Sequence, residues 1–316
     1  MHPIRGDTVN PNHTLPGNRW APHPSPPYDF DRIELPDGRS LGYAQYGDPD
    51  GDAVFWFHGT PGGRFQVPPA TNDRAAERSM RIIALERPGV GVSTPHRYDH
   101  VADWATDVSR AADALDADRF GLIGLSGGGP YVLACAHDLP ERTVAGVVLG
   151  GIGPTRGSDK IKSYTRLLPS FEPALSVGGE VLGTALRAAA LPLRVVRRQS
   201  IDLYTNLLAR ADKPAFEAPG MKDMFIHDLC EGMEHTLDGP VLDLVLFGRH
   251  WGFALEDITA PIVFVQGDAD HIVPFIHGEQ QADRVPDSEL LARPGEGHFA
   301  GFREVDVLLD RIRSRW

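Results

Sequence analysis

Along the chain, short runs of consecutive apolar residues alternate with segments whose apolar positions recur at helical spacing. The stretch "DRIELPDGRSLGYAQYG" alternates around Pro36-Asp37-Gly38, a turn signal between two extended runs, and predicts a hairpin. Four short apolar strands follow: "AVFWFHG" ending at Gly59, "RIIALERPG" at Gly89, "RFGLIGLS" at Ser126 and "TVAGVVLGG" at Gly151. Between the second and third, Val101, Trp104, Ala105, Val108, Ala112 and Leu115 keep the spacing of one helix face. Strands alternating with helices imply right-handed crossovers, hence a mostly parallel, twisted sheet flanked by helices.

The alternation stops near Pro154. From about Thr155 to Asp243 the pattern predicts helices only, most clearly in "VLGTALRAAALPLRVVRRQSIDLYTNLLARA". A strand, "PIVFVQGD", returns at Pro261, followed by a helix over "SELLARPGEGH" and a last amphipathic helix ending at Trp316. Helices inserted between two strands of one sheet predict a cap over its carboxyl edge. Residues 1–27 are rich in Pro, Asn and His without periodicity and predict an extended arm. The expected organisation is therefore an arm (1–27), an α/β core (28–154 and 244–316) and a helical cap (155–243), with no internal repeat.

Composition narrows the partners. The 316 residues are 41% hydrophobic and 23% charged, enough for a sizeable core. A net charge of −12 opposes binding to nucleic acid, and the one cationic cluster, "LRVVRR" at Leu193–Arg198, reads as a solvated helix end. Two cysteines make neither a disulfide framework nor a four-thiolate metal site, and Cys135 inside "YVLACA" reads as a small buried hydrophobe. The N-terminal segment lacks the apolar core of a signal peptide, and no run approaches a membrane span, so a cytoplasmic protein is expected.

The chemistry gathers at strand ends. Gly124-Leu125-Ser126-Gly127-Gly128 is G-x-S-x-G between a strand and a helix, a turn that exposes a serine hydroxyl where free amides favour negative charge. A capping serine in a Gly-rich turn would give the same letters. "FHGTPGG", His58 to Gly63, follows another strand. Acyl transfer needs two amide donors at the developing oxyanion, and Gly127 and Thr60 are placed to supply them; His58 reads as a tie for the loop. A serine needs a base and the base an acid. His298 in "GEGHFAG", on the turn before the last helix, is the base candidate, and Asp270 in "VFVQGDADHIVP" is preferred to Asp268 as the acid.

With "HGTPGG", "ERPGVGVS", "GLSGGG" and the pair "GDADHIVP" and "GEGHFAG" in this order, the chain from Asp31 to Trp316 resembles a capped α/β-hydrolase of the serine hydrolase type. Glu86 stands where that family usually has aspartate. The resemblance implies a triad of Ser126, Asp270 and His298, with Thr60 and Gly127 as oxyanion donors and neither cofactor nor metal. A serine at the elbow excludes the dehalogenases and epoxide hydrolases of similar architecture, which carry aspartate there. The expected activity is that of a carboxylesterase on small to medium apolar esters. Carbon–carbon bond hydrolase, lactonase, thioesterase and cofactor-free perhydrolase stay open, as does a non-catalytic hydrolase-like receptor.

Weaker patterns are read as structural. His227, Cys230, Glu231 and His235 could share a helix face at metal-binding spacing, but a mixed amphipathic face is preferred. His96 and His100 flank a loop and are expected to be solvated. Phe247, Trp251 and Phe253 are expected to pack a hinge, whereas the roles of Tyr164, Phe171, Tyr204 and Phe225 stay open. Gly127 lacks the larger side chain usual after the serine. The expectation is free space beside the nucleophile, with Gly127→Met narrowing substrate range before it abolishes activity.

Overall fold

The computed structural model of the protein describes residues 23–163, 209–232 and 238–316, with positions 170, 199, 201, 202, 205 and 206. The sheet contains β1 (Asp29–Glu34), β2 (Ser40–Gly47), β3 (Asp52–Phe57), β4 (Met80–Leu85), β5 (Phe120–Leu125), β6 (Thr143–Leu149), β7 (Ile262–Gly267) and β8 (Ser288–Arg293). Their spatial order is β1-β2-β4-β3-β5-β6-β7-β8. The β1–β2 hairpin turns at Pro36-Asp37-Gly38, and β2 joins β4 antiparallel. From β4 onward every pairing is parallel.

The apolar runs are covered on both faces, so each neighbouring pair of residues splits between two cores. Phe55, Phe57, Ile83 and Leu85 pack on one side with Trp104 and Val108 of α2 (Trp104–Ala114) and Tyr131 and Val132 of α3 (Gly129–Asp138). Val54, Trp56, Ile82 and Ala84 pack on the other with Ala75 of α1 (Thr71–Ala76) and the helix Val305–Arg313, whose Val305, Leu308, Leu309 and Ile312 form one stripe.

One element differs from its expectation. The helix expected over "SELLARPGEGH" is instead strand β8, paired in register with β7 from Ile262–Ser288 to Gly267–Arg293. The adjacent Leu290 and Leu291 pack against opposite cores, a period of two that no helix can satisfy.

Between β6 and β7 the regular structure of the described residues is helical: α4 (Lys213–Glu217), α5 (Met221–Gly232) and α6 (Asp238–Phe247). Most of the long helical stretch that begins at Val181 lies outside the described residues, as do Tyr164, Phe171, Tyr204 and His235. The helices α7 (Ile276–Ala282), which the sequence pattern did not single out, and α8 (Val305–Arg313) complete the fold. Among the described residues, no helix is long and apolar enough to cross a membrane. Of the expected arm, His23 is buried, and its Nε2 donates to the Phe65 carbonyl at 3.1 Å.

The parallel strands bring Thr60, Arg87, Ser126, Asp270 and His298 to the carboxyl edge of the sheet, where open α/β sheets bind ligands.

Candidate active site

Ser126 follows β5 directly and starts a single 3-10 turn, Ser126–Gly128, that leads into α3. Its φ is +52°, the left-handed region that non-glycine residues rarely adopt. The surrounding glycines explain how such a turn fits. A Cβ on Gly124 would lie 2.6 Å from the Gly128 carbonyl oxygen, and one on Gly128 would lie 2.3 Å from that of Phe57. These two positions let strand and helix close on each other. Gly127 sits in the first turn, where backbone N–H groups have no intrahelical acceptor and remain free for a ligand.

The expected free space beside Gly127 is not there. A Cβ at this position would stand 2.3 Å from Thr60 Oγ1 and 3.1 Å from Phe247 Cζ. Thr60 cannot yield cheaply, because its hydroxyl donates to Asp243 at 2.6 Å and accepts from Arg87 at 3.1 Å. Gly127→Met should therefore displace Thr60 and lower turnover of short and long esters alike, by about 100-fold or more. A variant that keeps its rate on short esters and loses only long ones would contradict this and restore the earlier expectation.

His298 and Asp270 meet in the interior. His298 Nδ1 lies 2.7 Å from Asp270 Oδ2, with both side chains buried. The carboxylate is held on all sides: Oδ1 accepts the amides of Ile272 at 2.8 Å and Val273 at 2.9 Å, and Oδ2 also accepts Gln266 Nε2 at 2.9 Å. A carboxylate in that setting can only accept from the ring, so Nδ1 carries hydrogen and Nε2 is left as the acceptor. Asp268 is exposed and accepts the Gly295 amide at 2.7 Å, a turn contact away from the imidazole. The ring packs against Gly150, where a Cβ would come within 3.0 Å of Nδ1.

Ser126, Thr60 and His298 line one cavity of about 340 Å³. Its other walls are mostly apolar, including Leu125, Ile226 and Leu229, and Cys230 of α5 also faces it. Phe299, next to His298, meets Phe216 and Phe225 at 5.1 and 5.0 Å between ring centroids, so Phe225 belongs to the cavity wall. Among the described lining residues, none is acidic.

Two buried carboxyl groups, Asp212 and Asp228, tie the helical segment to this edge. Asp212 accepts the Phe299 amide at 2.8 Å, next to His298. Asp228 of α5 accepts the amides of Gly63 and Phe65, each at 3.1 Å, and so anchors that helix to the loop carrying Thr60. Burial, with Glu86 adding negative charge, pushes the Asp228 carboxyl up to about 8. The unfolded chain releases this proton near pH 4, whereas the folded protein keeps it until about pH 8. Its contribution to stability is thus fully present below about pH 4 and is lost as pH rises towards 8. Buried His23 and His277, each lowered to about 4 by desolvation, act with the opposite sign over about pH 4 to 6.5, so wild type alone mixes these contributions. The Tm difference between Asp228→Asn and wild type isolates the carboxyl, and it should move in favour of the variant from about pH 5 to about 8. A difference independent of pH would contradict the assignment.

Several weaker readings can be placed. His58 is buried, and its ring nitrogens bond to the Gly59 carbonyl of its own loop and to the Arg87 amide after β4. Phe247, Trp251 and Phe253 are buried outside the cavity lining, Phe247 packing on Tyr131, Trp251 on Phe253 and Phe253 on His137, while the Phe247 ring edge also reaches Gly127. Cys135 is fully buried, and burial raises its thiol well above the ordinary range. Among the described residues, no cluster of His, Cys, Asp and Glu could hold a metal ion. Sequence reasoning passed over Gln66, Arg87, Asp212, Asp228 and Asp243. A lone Asp243 inside the apolar run "VLDLVLF" was the one signal available.

The sequence matches the α/β-hydrolase fold family over residues 52–305, and the chain belongs to that family of hydrolases. It is 31% identical over 315 residues to a probable proline iminopeptidase of Leptolyngbya boryana, covering 86% of this chain and 89% of that protein. It is 26% identical over 311 residues to a bifunctional esterase/perhydrolase of Acinetobacter calcoaceticus, covering 89% of this chain and 99% of that protein. In three dimensions it is similar to an esterase of Exiguobacterium antarcticum, with a TM-score of 0.64 at 17% identity, covering 89% of this chain and 98% of the other.

Proposed function

We propose that the protein is a serine carboxylesterase acting on small to medium apolar esters through an acyl-enzyme, without metal or cofactor. The observation that carries this reading is the buried His298–Asp270 contact beside an apolar cavity that Ser126 also lines. Ser126 Oγ attacks the ester carbonyl carbon while its proton passes to His298 Nε2. The carbonyl electron pair moves onto oxygen, where the amides of Thr60 and Gly127 receive it. Collapse of this intermediate breaks the bond to the alcohol, whose oxygen takes the proton from Nε2. A water molecule, deprotonated by the same nitrogen, then attacks the acyl carbon, and the bond to Oγ breaks as Oγ takes the proton back from Nε2, which releases the acid and restores Ser126. Asp270 keeps the proton on Nδ1 and offsets the charge of the imidazolium, and helices α4 to α6 act as a cap that excludes water.

The iminopeptidase relative raises a second reading, cleavage of an amide beside a free amino terminus. Such a substrate brings a cationic amine, which is costly to bury without a carboxylate partner. The apolar character of the described lining, with Leu125, Phe216, Ile226 and Leu229, favours the ester. The two readings separate in one assay of p-nitrophenyl butyrate against proline p-nitroanilide. Faster turnover of the butyrate is expected, and a preference for the anilide would overturn the esterase reading while leaving the same three residues at work.

A further inference from the structure

Arg87 follows β4 at the carboxyl edge and is almost fully buried. Its guanidinium spends its hydrogens on the loop that carries Thr60. Nη1 donates to the His58 carbonyl at 2.7 Å, and Nη2 donates to the Gly59 carbonyl at 3.0 Å and the Thr60 hydroxyl at 3.1 Å. The counter-charge is Asp243 of α6, whose Oδ2 lies 2.7 Å from Nη2. Asp243 also accepts the Thr60 hydroxyl and the Tyr131 hydroxyl, each at 2.6 Å, and Tyr131 presents its ring to the guanidinium at 4.7 Å. His58 completes the enclosure. Its Nδ1 donates to the Gly59 carbonyl at 2.8 Å while Nε2 accepts the Arg87 amide at 3.2 Å, which assigns the neutral tautomer.

The Gly59 carbonyl therefore receives two donors, one of them cationic. That carbonyl and the Thr60 N–H are the two ends of one planar trans peptide unit, so holding the oxygen on one side aims the N–H to the other. Donation to the oxygen also polarises the unit and strengthens the N–H as a donor. Gln66 Oε1 accepts the Gly59 amide at 2.6 Å and steadies the preceding peptide. A buried ion pair is a poor device for stability alone, because desolvation consumes most of the attraction. Its placement here serves orientation.

We propose that the buried Arg87–Asp243 pair is a positioning unit for the oxyanion site. It orients and polarises the Gly59–Thr60 peptide so that the Thr60 amide meets the charge that develops on the substrate oxygen, and it locks Thr60 through its hydroxyl. The proposal rests on the reading of Thr60 as an oxyanion donor. Neither residue touches substrate; both act through the loop. Because Asp243 lies on α6, the same contact makes oxyanion binding depend on the helices between β6 and β7.

The test uses Asp243→Asn and Thr60→Val in the full-length enzyme. Thr60→Val keeps the amide and the side-chain shape and removes the hydroxyl through which Arg87 and Asp243 grip Thr60, so it tests that grip by itself if Asp243→Asn does not fold. Both variants, checked for folding by Tm, should lose about 10- to 100-fold in kcat on p-nitrophenyl butyrate, with KM changed by no more than about 3-fold. Affinity for a trifluoromethyl ketone, which forms a tetrahedral oxyanion at the serine, should weaken in parallel with kcat. Folded variants with wild-type kcat and wild-type ketone affinity would overturn the proposal, whatever their Tm. Absence of ester turnover in the wild type would instead overturn the esterase reading beneath it.

Discussion

Ser126→Ala is expected to lower kcat on p-nitrophenyl butyrate by about 10⁴-fold or more while leaving the fold intact. The hydroxyl is the only group the substitution removes. The remaining rate would come from the oxyanion amides and from binding in the cavity, neither of which needs Oγ. Stability should not suffer, because a smaller residue relieves none of the packing that Gly124 and Gly128 make possible. The strained φ at this position stays non-glycine in the variant, so folded yield is a fair control. A variant with near wild-type turnover would mean that ester cleavage, where seen, takes place elsewhere on the molecule.

Asp270→Asn carries the second large effect, about 10³- to 10⁴-fold in kcat. The four donors around the carboxylate leave an amide no comfortable orientation. With its NH₂ towards His298, the asparagine meets two donors, Gln266 Nε2 and the Nδ1 hydrogen. The ring must then move its hydrogen to Nε2, where it can no longer take the serine proton. With the amide flipped, two backbone N–H groups at Ile272 and Val273 lose their acceptor instead. Asp268→Asn keeps an oxygen for the Gly295 amide and should stay close to wild type. The reverse order of the two variants would assign the acid to Asp268.

Much of the site is legible in the sequence because its chemistry sits at strand ends, and strand ends are marked by glycine. Gly124 and Gly128 announce the turn at Ser126, since each position excludes a Cβ against backbone. The strands β1 to β7 were legible as an alternating hairpin and apolar runs too short for helices, though their order in the sheet was not. The strand β8 escaped for a physical reason. It is an edge strand with polar and charged neighbours, so two adjacent leucines on opposite faces resemble part of an amphipathic helix until a partner strand sets the period. The space beside Gly127 was misread because emptiness is a tertiary property: Thr60, far away in sequence, fills it. Asp243, Asp228 and Asp212 were hidden likewise. Each is a carboxylate on the helical segment whose partners, Arg87 or backbone amides at the sheet edge, are far away in sequence.

Asp228 and Asp243 suggest how one chain keeps its helices registered over its sheet. Apolar packing at Phe216, Phe225 and Phe299 is non-directional and tolerates sliding, whereas a carboxyl group bonded to two named amides does not. The registry matters because the same helices wall the cavity that Ser126 opens into.

The most direct measurement is intact-mass and peptide-mass analysis of the protein after treatment with a fluorophosphonate, an electrophile that captures an activated serine. One adduct per chain, located on Ser126 and absent from Ser126→Ala, is the expected result. No adduct, or one located on another residue in a protein that still turns over esters, would contradict the assignment of Ser126 as the nucleophile.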